Sequence, residues 1–306
     1  MDIKNALSIQ IPQGRPTEFT DDLSRWLDKL APLNLDFVIE GETGTGKDTF
    51  ARKLYERTHS VGPFIGINCA AIPDQLAEAE FFGAVVGAYT GATKTRIGHI
   101  EAANNGILFL DEIDSMSLSL QAKLLRVLET RSVMPLGSTD TVPVNIRVIG
   151  AAQRPLSQMV ESGEFRRDLY FRLSTVKIIL PALRERVETI IPQFHRFAAD
   201  AAMQFQRPLP ALDQALTESL LIHRWPGNMR ELKAAAVRFV LGLPALEAAR
   251  VMRSWTLKDR MARIESCLIQ DCLSRHNRQV TDAAQELGIP SRTLYNKLKA
   301  LNINEK

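Results

Sequence analysis

The stretch Phe37-Val38-Ile39-Glu40-Gly41-Glu42-Thr43-Gly44-Thr45-Gly46-Lys47-Asp48-Thr49 governs how the rest of the chain is read. An apolar, β-rich run enters a loop with three glycines, and a helical pattern over residues 49–57 follows the lysine. Strand, glycine loop and helix in this order make a P-loop. The glycines let backbone N–H groups converge on phosphate oxygens, the helix presents its positive end, and Lys47 adds a point charge. A glycine turn that only caps a helix has no need of that lysine. Gly41, Glu42, Thr43, Gly44, Thr45, Gly46, Lys47, Asp48 and Thr49 are therefore the expected nucleotide-binding residues. A hydroxyl residue usually follows the lysine to touch Mg2+. Here Asp48 stands in its place, and a carboxylate can hold magnesium directly or through water.

Outward from the loop, apolar runs at 64–67, 107–110, 146–149 and 176–180 alternate with helical patterns. That alternation predicts an α/β domain of βαβ units with a five-stranded, mostly parallel sheet. After Pro181 the β-rich runs stop, and 184–197, 211–223 and 228–241 read as helices separated by Pro- or Gly-containing breaks. The expected division is a short N-terminal extension (1–20), an α/β subdomain (21–180), a helical subdomain (181–243), a linker (244–257) and a small all-α domain (258–306).

The chain has 306 residues with 45% apolar and 24% charged, the composition of an ordinary globular protein rather than a disordered or fibrous one. It has no apolar run long enough to span a bilayer, and Met1-Asp2-Ile3-Lys4-Asn5 lacks the features of a signal peptide. The expectation is a cytoplasmic protein with no membrane partner. Cys69, Cys267 and Cys272 are widely spread and odd in number, suiting neither a disulfide framework nor a metal site. Residues 251–306 carry 10 basic and 6 acidic side chains, so the tail is +4 while the rest of the chain is −1. Nucleic acid at the C-terminal end explains the asymmetry, and so does a solvated surface with a few extra lysines.

Asn105-Gly106-Ile107-Leu108-Phe109-Leu110-Asp111-Glu112 is an apolar strand ending in two carboxylates. Alone it could be a strand running into a charged turn. Beside a P-loop, hydrolysis needs a carboxylate near magnesium and a base that polarises water, and Asp111 and Glu112 suit those roles in that order. Between the two elements lies Gly87-Ala88-Tyr89-Thr90-Gly91-Ala92. It resembles the GAFTGA loop of the AAA+ activators that work on RNA polymerase carrying sigma-54, with Tyr89 in place of the usual Phe. From the residues alone it is a flexible glycine loop with an aromatic tip. The resemblance makes it the loop that contacts sigma-54.

The resemblance implies further assignments. Asn68, in Asn68-Cys69-Ala70-Ala71, would contact Glu112 and switch with the γ-phosphate. Arg166 and Arg172, in the run from Phe165 to Leu173, occupy the positions of arginine fingers given to a neighbouring subunit; without the resemblance each could be a surface or interface ion pair. Trp225-Pro226-Gly227-Asn228-Met229-Arg230-Glu231-Leu232 is similar to a lid segment, with Arg230 reaching the nucleotide. Where such activators usually carry Ala-Thr-Asn after the fourth strand, this chain has Ala151-Ala152-Gln153, placing a longer amide at the γ-phosphate sensor.

Near the C-terminus, 279–298 has two short helical patterns meeting at Gly288, with Ser291 placed to cap the second. Ala283, Ala284 and Leu287 share one face, as do Leu294 and Leu298, the spacing of a helix-turn-helix or of a small bundle with a solvated face. The segment resembles the Fis-type domain of the same activators. Ser291, Arg292, Thr293, Tyr295, Asn296 and Lys297 become the expected DNA contacts.

The resemblance as a whole implies an ATPase using ATP and Mg2+, with Asp48 and Asp111 as metal ligands, that binds double-stranded enhancer DNA and remodels the closed complex of sigma-54 and RNA polymerase. It implies a ring, expected as a hexamer of this chain alone or with a paralogous subunit. With about 20 residues before the ATPase module, control would fall to a separate regulatory protein, a partner subunit or expression level. Within the family the sequence looks like the Hrp-type activators of type III secretion genes, a virulence role. The alternatives are a DNA-binding regulator with a degenerate, non-hydrolysing nucleotide site, and an AAA+ remodeller with another client.

Overall fold

The computed structural model describes residues 24–58, 61–88, 93–246 and 279–300, the backbone of 7–10, and residues 258, 261, 265, 269, 272, 273 and 276. Tyr89, Thr90, Gly91, Ala92, residues 247–257 of the expected linker and Cys267 lie outside the described residues.

Six strands form one all-parallel sheet: β1 (Leu7–Gln10), β2 (Phe37–Glu40), β3 (Phe64–Asn68), β4 (Ile107–Asp111), β7 (Arg147–Ala152) and β8 (Val176–Ile179), in the order β1-β8-β2-β7-β4-β3. β5 (Ser132–Val133) and β6 (Val142–Pro143) pair as a separate antiparallel ladder. The five strands expected from the sequence are present. β1 adds a sixth within the stretch read as an extension; at four residues it is too short for a clear period-two signal.

The central strands β2 and β7 are buried along their whole length, as a parallel sheet covered on both faces requires. Alternate residues serve opposite cores. Phe37, Ile39, Ile107 and Phe109 pack with Leu27, Leu30 and with Phe50 and Leu54 of α1 (Lys47–Arg57). Val38, Leu108 and Leu110 pack on the other face with Phe81 of α2 (Asp74–Phe82), Leu124 of α4 (Leu118–Thr130), Met159 of α5 (Leu156–Glu161) and Leu169 of α6 (Arg167–Leu173). A short α3 (His99–Ala102) adds Ile100 to that second core. Each such side chain contributes about 1.5–3 kcal/mol by leaving water. The P-loop follows β2, so it lies at the carboxyl ends of the strands in the middle of the sheet, where open α/β sheets bind ligands.

The helix expected at 184–197 is replaced at its start by two 3-10 turns, Leu183–Glu185 and Val187–Thr189, and α7 begins only at Ile190 (Ile190–Gln204). Arg186 breaks the helical backbone between the turns (φ −132°, ψ 54°), and the Leu183 N–H is taken by the Asn228 side chain at 2.7 Å. The chain divides into two compact units, Met1–Thr189 with Trp225–Glu231, and Ile190–Arg224 with Leu232–Lys306. In the second, α7, α8 (Gln214–Ile222) and α9 (Asn228–Val240, from Leu232 on) supply a helical group in which Phe194 and Phe239 meet at 5.4 Å. Asp213 caps α8 by accepting from the Leu216 N–H.

Also in the second unit, α10 (Val280–Glu286) and α11 (Ser291–Ala300) close on Ala283, Ala284, Leu294 and Leu298, with Ile269, Cys272 and Leu273 beneath them. Gly288 at φ +67° makes the turn. Ser291 is the first helical residue rather than the cap, since the Pro290 carbonyl accepts from Thr293 and Leu294. Among the described residues no helix is long and apolar enough to cross a membrane.

The amino end of β2 is tied down by Asp36, whose side chain is 2% exposed. It accepts from the Val148 N–H (2.8 Å) and pairs with Arg131 (2.7 Å) and Arg172 (3.1 Å). Asp36→Ala removes one anion and leaves two cations and a buried N–H without it. A loss of about 3 kcal/mol is expected in urea denaturation. The two arginines are partly exposed, so the lower end of the range for broken buried pairs applies.

Candidate functional site

A glycine loop can turn its N–H groups toward an anion only if its carbonyls find donors elsewhere. Here all five carbonyls from Gly41 to Thr45 are engaged. Lys47 Nζ donates to those of Gly41 (2.7 Å) and Glu42 (3.0 Å). Asn228 Nδ2 donates to that of Thr43 (2.9 Å), the Met229 N–H to that of Gly44 (2.9 Å) and Arg186 to that of Thr45 (3.1 Å). Gly44 sits at φ +76°, and a Cβ there would lie 2.3 Å from the Gly227 carbonyl oxygen. Gly46, at φ +105°, leads into α1.

Glu42 holds the loop from its side chain. Arg184 grips its carboxylate with both terminal nitrogens (2.8 and 2.5 Å), and Asn228 adds a third bond at 3.2 Å. The Arg184 bonds hold the carboxyl below the ordinary carboxylate range against the effect of burial, with Asn228 and Lys47 assisting. Arg186 is buried, which brings its guanidinium down to about 10.

Lys47 is 7% exposed. Burial lowers the pKa of its ammonium, and Asp111, Asp114 and Glu112 oppose the shift while Arg230 adds to it. Burial also raises the Asp111 carboxyl above its usual range against the pull of Lys47, with Glu112 and Asp48 adding to the rise. Asp114 Oδ2 accepts from the N–H groups of Gln153 (3.3 Å) and Arg154 (3.2 Å), whereas its buried Oδ1 has no partner among the described residues. Hard carboxylate oxygens with negative charge to spare fit a magnesium ion. Asp48 forms an exposed ion pair with Arg52 at 3.0 Å, and such pairs are weak enough to give way. Cys69 is buried beside these carboxylates and its thiol is pushed up to about 12, so it stays protonated.

The remaining expected residues are dispersed. Glu112 stands in the left-handed region (φ +53°) and its Oε1 accepts from Gln153 Nε2 at 2.9 Å. Asn68 does not hold it. Its Oδ1 accepts from the Ala70 and Ala71 N–H groups (2.9 and 3.1 Å), capping the turn Cys69–Ala71. Arg166 is exposed and bonded to Asp168. Arg172 is engaged with Asp36 and with the Leu128 carbonyl (3.1 Å). Of the expected sigma-54 loop, Gly87 and Ala88 are described. Its foot is pinned where Ala84 pairs with Arg96 and Leu136, and Arg96 grips Glu80. Gly98 permits this closure, since a Cβ there would lie 2.3 Å from the Gly83 nitrogen. On α11, Arg292, Tyr295 and Asn296 are exposed, Ser291 and Thr293 are half-buried, and Lys297 is paired with Glu265.

Sequence reasoning missed four contributors. Asp114 is a third carboxylate three residues after Asp111. Asn228 lies in the lid-like segment and Arg184 and Arg186 in a stretch read as helix, but nothing local signals that these side chains reach back to the glycine loop.

Comparison with known proteins accords with this geometry. Residues 16–179 match the sigma-54 interaction domain family, 184–254 an AAA+ ATPase lid domain and 260–301 the Fis family of bacterial regulatory proteins. The chain is 55% identical to the pathogenicity locus probable regulatory protein WtsA of Pantoea stewartii subsp. stewartii, over 96% of this chain and 92% of that one. It is 50% identical to the pathogenicity locus probable regulatory protein HrpS of Pseudomonas syringae pv. syringae, over 94% of this chain and 98% of that one. Among solved structures, NtrX from Brucella abortus in complex with ATP superposes with a TM-score of 0.72 at 27% identity, covering 97% of this chain and 70% of that one. The chain therefore belongs to the sigma-54-dependent transcriptional regulators, with an AAA+ nucleotide-binding module, its lid and a Fis-type helix-turn-helix, and it counts Hrp-type pathogenicity regulators among its relatives.

Proposed function

We propose that this protein hydrolyses ATP as a ring-forming activator, binds enhancer DNA, and remodels the closed complex of sigma-54 RNA polymerase at promoters of type III secretion genes. The supporting observation is that Lys47 lies in the field of Asp111, Glu112 and Asp114, at a loop whose five carbonyls from Gly41 to Thr45 all have donors. NtrX has been solved with ADP and with ATP, and the relatives WtsA and HrpS carry pathogenicity-locus names. Promoter DNA as the working surface puts the protein in the cytoplasm.

In this reading the loop amides, Lys47 and Arg230 bind the phosphates, and Asp111 with Asp48 would hold Mg2+. The metal ion, when bound, neutralises charge on the phosphate oxygens. Glu112 orients a water whose oxygen attacks the γ-phosphorus. The bond to the β–γ bridging oxygen breaks, the water proton passes to the Glu112 carboxylate, and ADP and phosphate leave. Arg166, exposed on its subunit, is offered to the neighbour's γ-phosphate, and Arg172 joins it by releasing Asp36. Arg292, Tyr295 and Asn296 meet DNA, with Ser291 and Thr293 at the start of the helix and Lys297 after it leaves Glu265. The ring is a hexamer of this chain or of this chain with a paralogous subunit.

Purified protein with sigma-54 polymerase and ATP is expected to open a promoter. Glu112→Ala is expected to lose hydrolysis by about a hundredfold or more, and Thr90→Ala to keep hydrolysis and lose opening. A parent that binds ATP and DNA yet never hydrolyses, with or without a paralogous subunit, would be the degenerate regulator instead. Releasing Glu42 should loosen the loop. Arg184→Ala is expected to weaken nucleotide binding about tenfold, read by titration with a fluorescent ATP analogue and equivalent to about 1.4 kcal/mol. An unchanged Kd would mean that the Glu42 grip does not order the loop.

A further inference from the structure

Two amides flank the base. The register pairs Asn68 with Asp111 on one side of β4, while β7 runs beside β4 on the other side, with Leu110 opposite Gly150, and delivers Gln153 just past its end. Glu112 follows Asp111 and lies between these strand ends. Only one of the amides is bonded to it: Gln153 Nε2 donates to Glu112 Oε1 at 2.9 Å, while the Asn68 side chain is turned onto its own loop, its oxygen accepting from Ala70 and Ala71. A carboxylate accepts and does not donate, so the nitrogen end of the Gln153 amide must face it.

Gln153 is itself held in place. Its N–H and that of Arg154 share Asp114 Oδ2. Reach distinguishes the two amide side chains at this position. An asparagine is one carbon–carbon bond shorter, about 1.5 Å, and from the same backbone its nitrogen would fall outside hydrogen-bond distance of Glu112. Glu112 needs such a partner because its backbone, at φ +53°, sits in a conformation that non-glycine residues rarely adopt.

We propose that Gln153 is the positioning residue for Glu112 in this chain, combining in one side chain the contact to the base and the contact to the γ-phosphate, with Asn68 left to shape the turn after β3. The amide has two N–H groups. One is used on Glu112, and the other can meet a phosphoryl oxygen, so arrival or loss of the γ-phosphate is felt directly by the group that orients water. The proposal rests on the assignment of Glu112 as base in the preceding subsection.

The test uses the full chain as parent, Glu112→Ala, Gln153→Leu, Gln153→Asn and the double variant Glu112→Ala/Gln153→Leu. Side-chain amide spectra of protein carrying 15N-labelled Asn and Gln read the bond with no turnover. The resonance lost in Gln153→Leu is expected to shift in Glu112→Ala. Steady-state kinetics read the consequence. Gln153→Leu and Gln153→Asn are expected to lower kcat about tenfold or more, the scale set by misplacing a catalytic group, with KM for ATP within about twofold. In the Glu112→Ala background Gln153→Leu should cost clearly less than it does in the parent, because the share of its effect that runs through Glu112 is already gone. The proposal is overturned if the Gln153 resonance stays put while an Asn68 resonance shifts, if Gln153→Leu raises KM and spares kcat, or if the two losses multiply. A Glu112→Ala protein as active as the parent sinks the preceding reading and takes the positioning role with it. The spectra separate the two failures, since they report the bond in either case.

Discussion

The glycine loop depends on other parts of the chain to orient its peptide groups. For the amides of Gly44, Gly46 and Lys47 to be available to an anion, the intervening carbonyls must be satisfied on the outside, and an unsatisfied carbonyl in a half-buried loop costs as much as a lost hydrogen bond. Only Lys47 and Thr45 supply donors from within the loop and its helix. The others come from Arg186, Asn228 and Met229, more than 140 residues away in sequence. That constraint explains why two short segments, Leu183–Glu185 with its flanks and Trp225–Glu231, belong with the sheet and not with the helices that surround them in sequence.

The same constraint bends the local structure. The sequence from residue 184 has good helical periodicity, yet Arg184 and Arg186 serve the loop from 3-10 and irregular backbone, and the regular helix waits until Ile190. Asn228 is fully buried at φ +48°. It fills three roles: it accepts from Leu183, donates to Thr43 and touches Glu42. Its left-handed conformation is tolerable because asparagine is among the few side chains that visit that region.

Much of this was legible in the sequence, because the signals were local. The buried strands are short apolar runs, the P-loop is contiguous, and Asp111 and Glu112 follow the strand that delivers them. What escaped was set by distance or competition. β1 has four residues and no flanking pattern strong enough to mark it. Whether Asn68 or Gln153 would take Glu112 depends on which amide has a nearer local partner. The N–H groups of Ala70 and Ala71 turn the Asn68 amide onto its own loop, and no motif records that. The bonds of Arg172 to the buried Asp36 carboxylate and to the Leu128 carbonyl are likewise not signalled by its motif position.

Two adjacent residues carry these ties away from the site. Gln153 reaches Glu112, and Arg154, next along the chain, grips Glu164 with both terminal nitrogens (2.6 and 2.8 Å), holding that carboxyl down to about 2. The Glu164 carbonyl accepts from Gln121, and the Gln121 side-chain oxygen in turn accepts from the Arg166 N–H (2.8 Å). A continuous set of bonds therefore runs from the carboxylate that would orient water to the backbone of Arg166, the exposed arginine that precedes α6. Continuity of this kind is not coupling, which requires an element with two arrangements that both ends bias. The element best suited to that part is the run from Ala152 to Arg154. It leaves the sheet at β7, where the Ala152 carbonyl accepts from the Gly41 N–H; the N–H groups of Gln153 and Arg154 then share one carboxylate, Asp114, and their side chains face opposite ends of the path. A displacement of Gln153 large enough to break a 2.9 Å bond must strain the two N–H bonds to Asp114 and with them the position of Arg154.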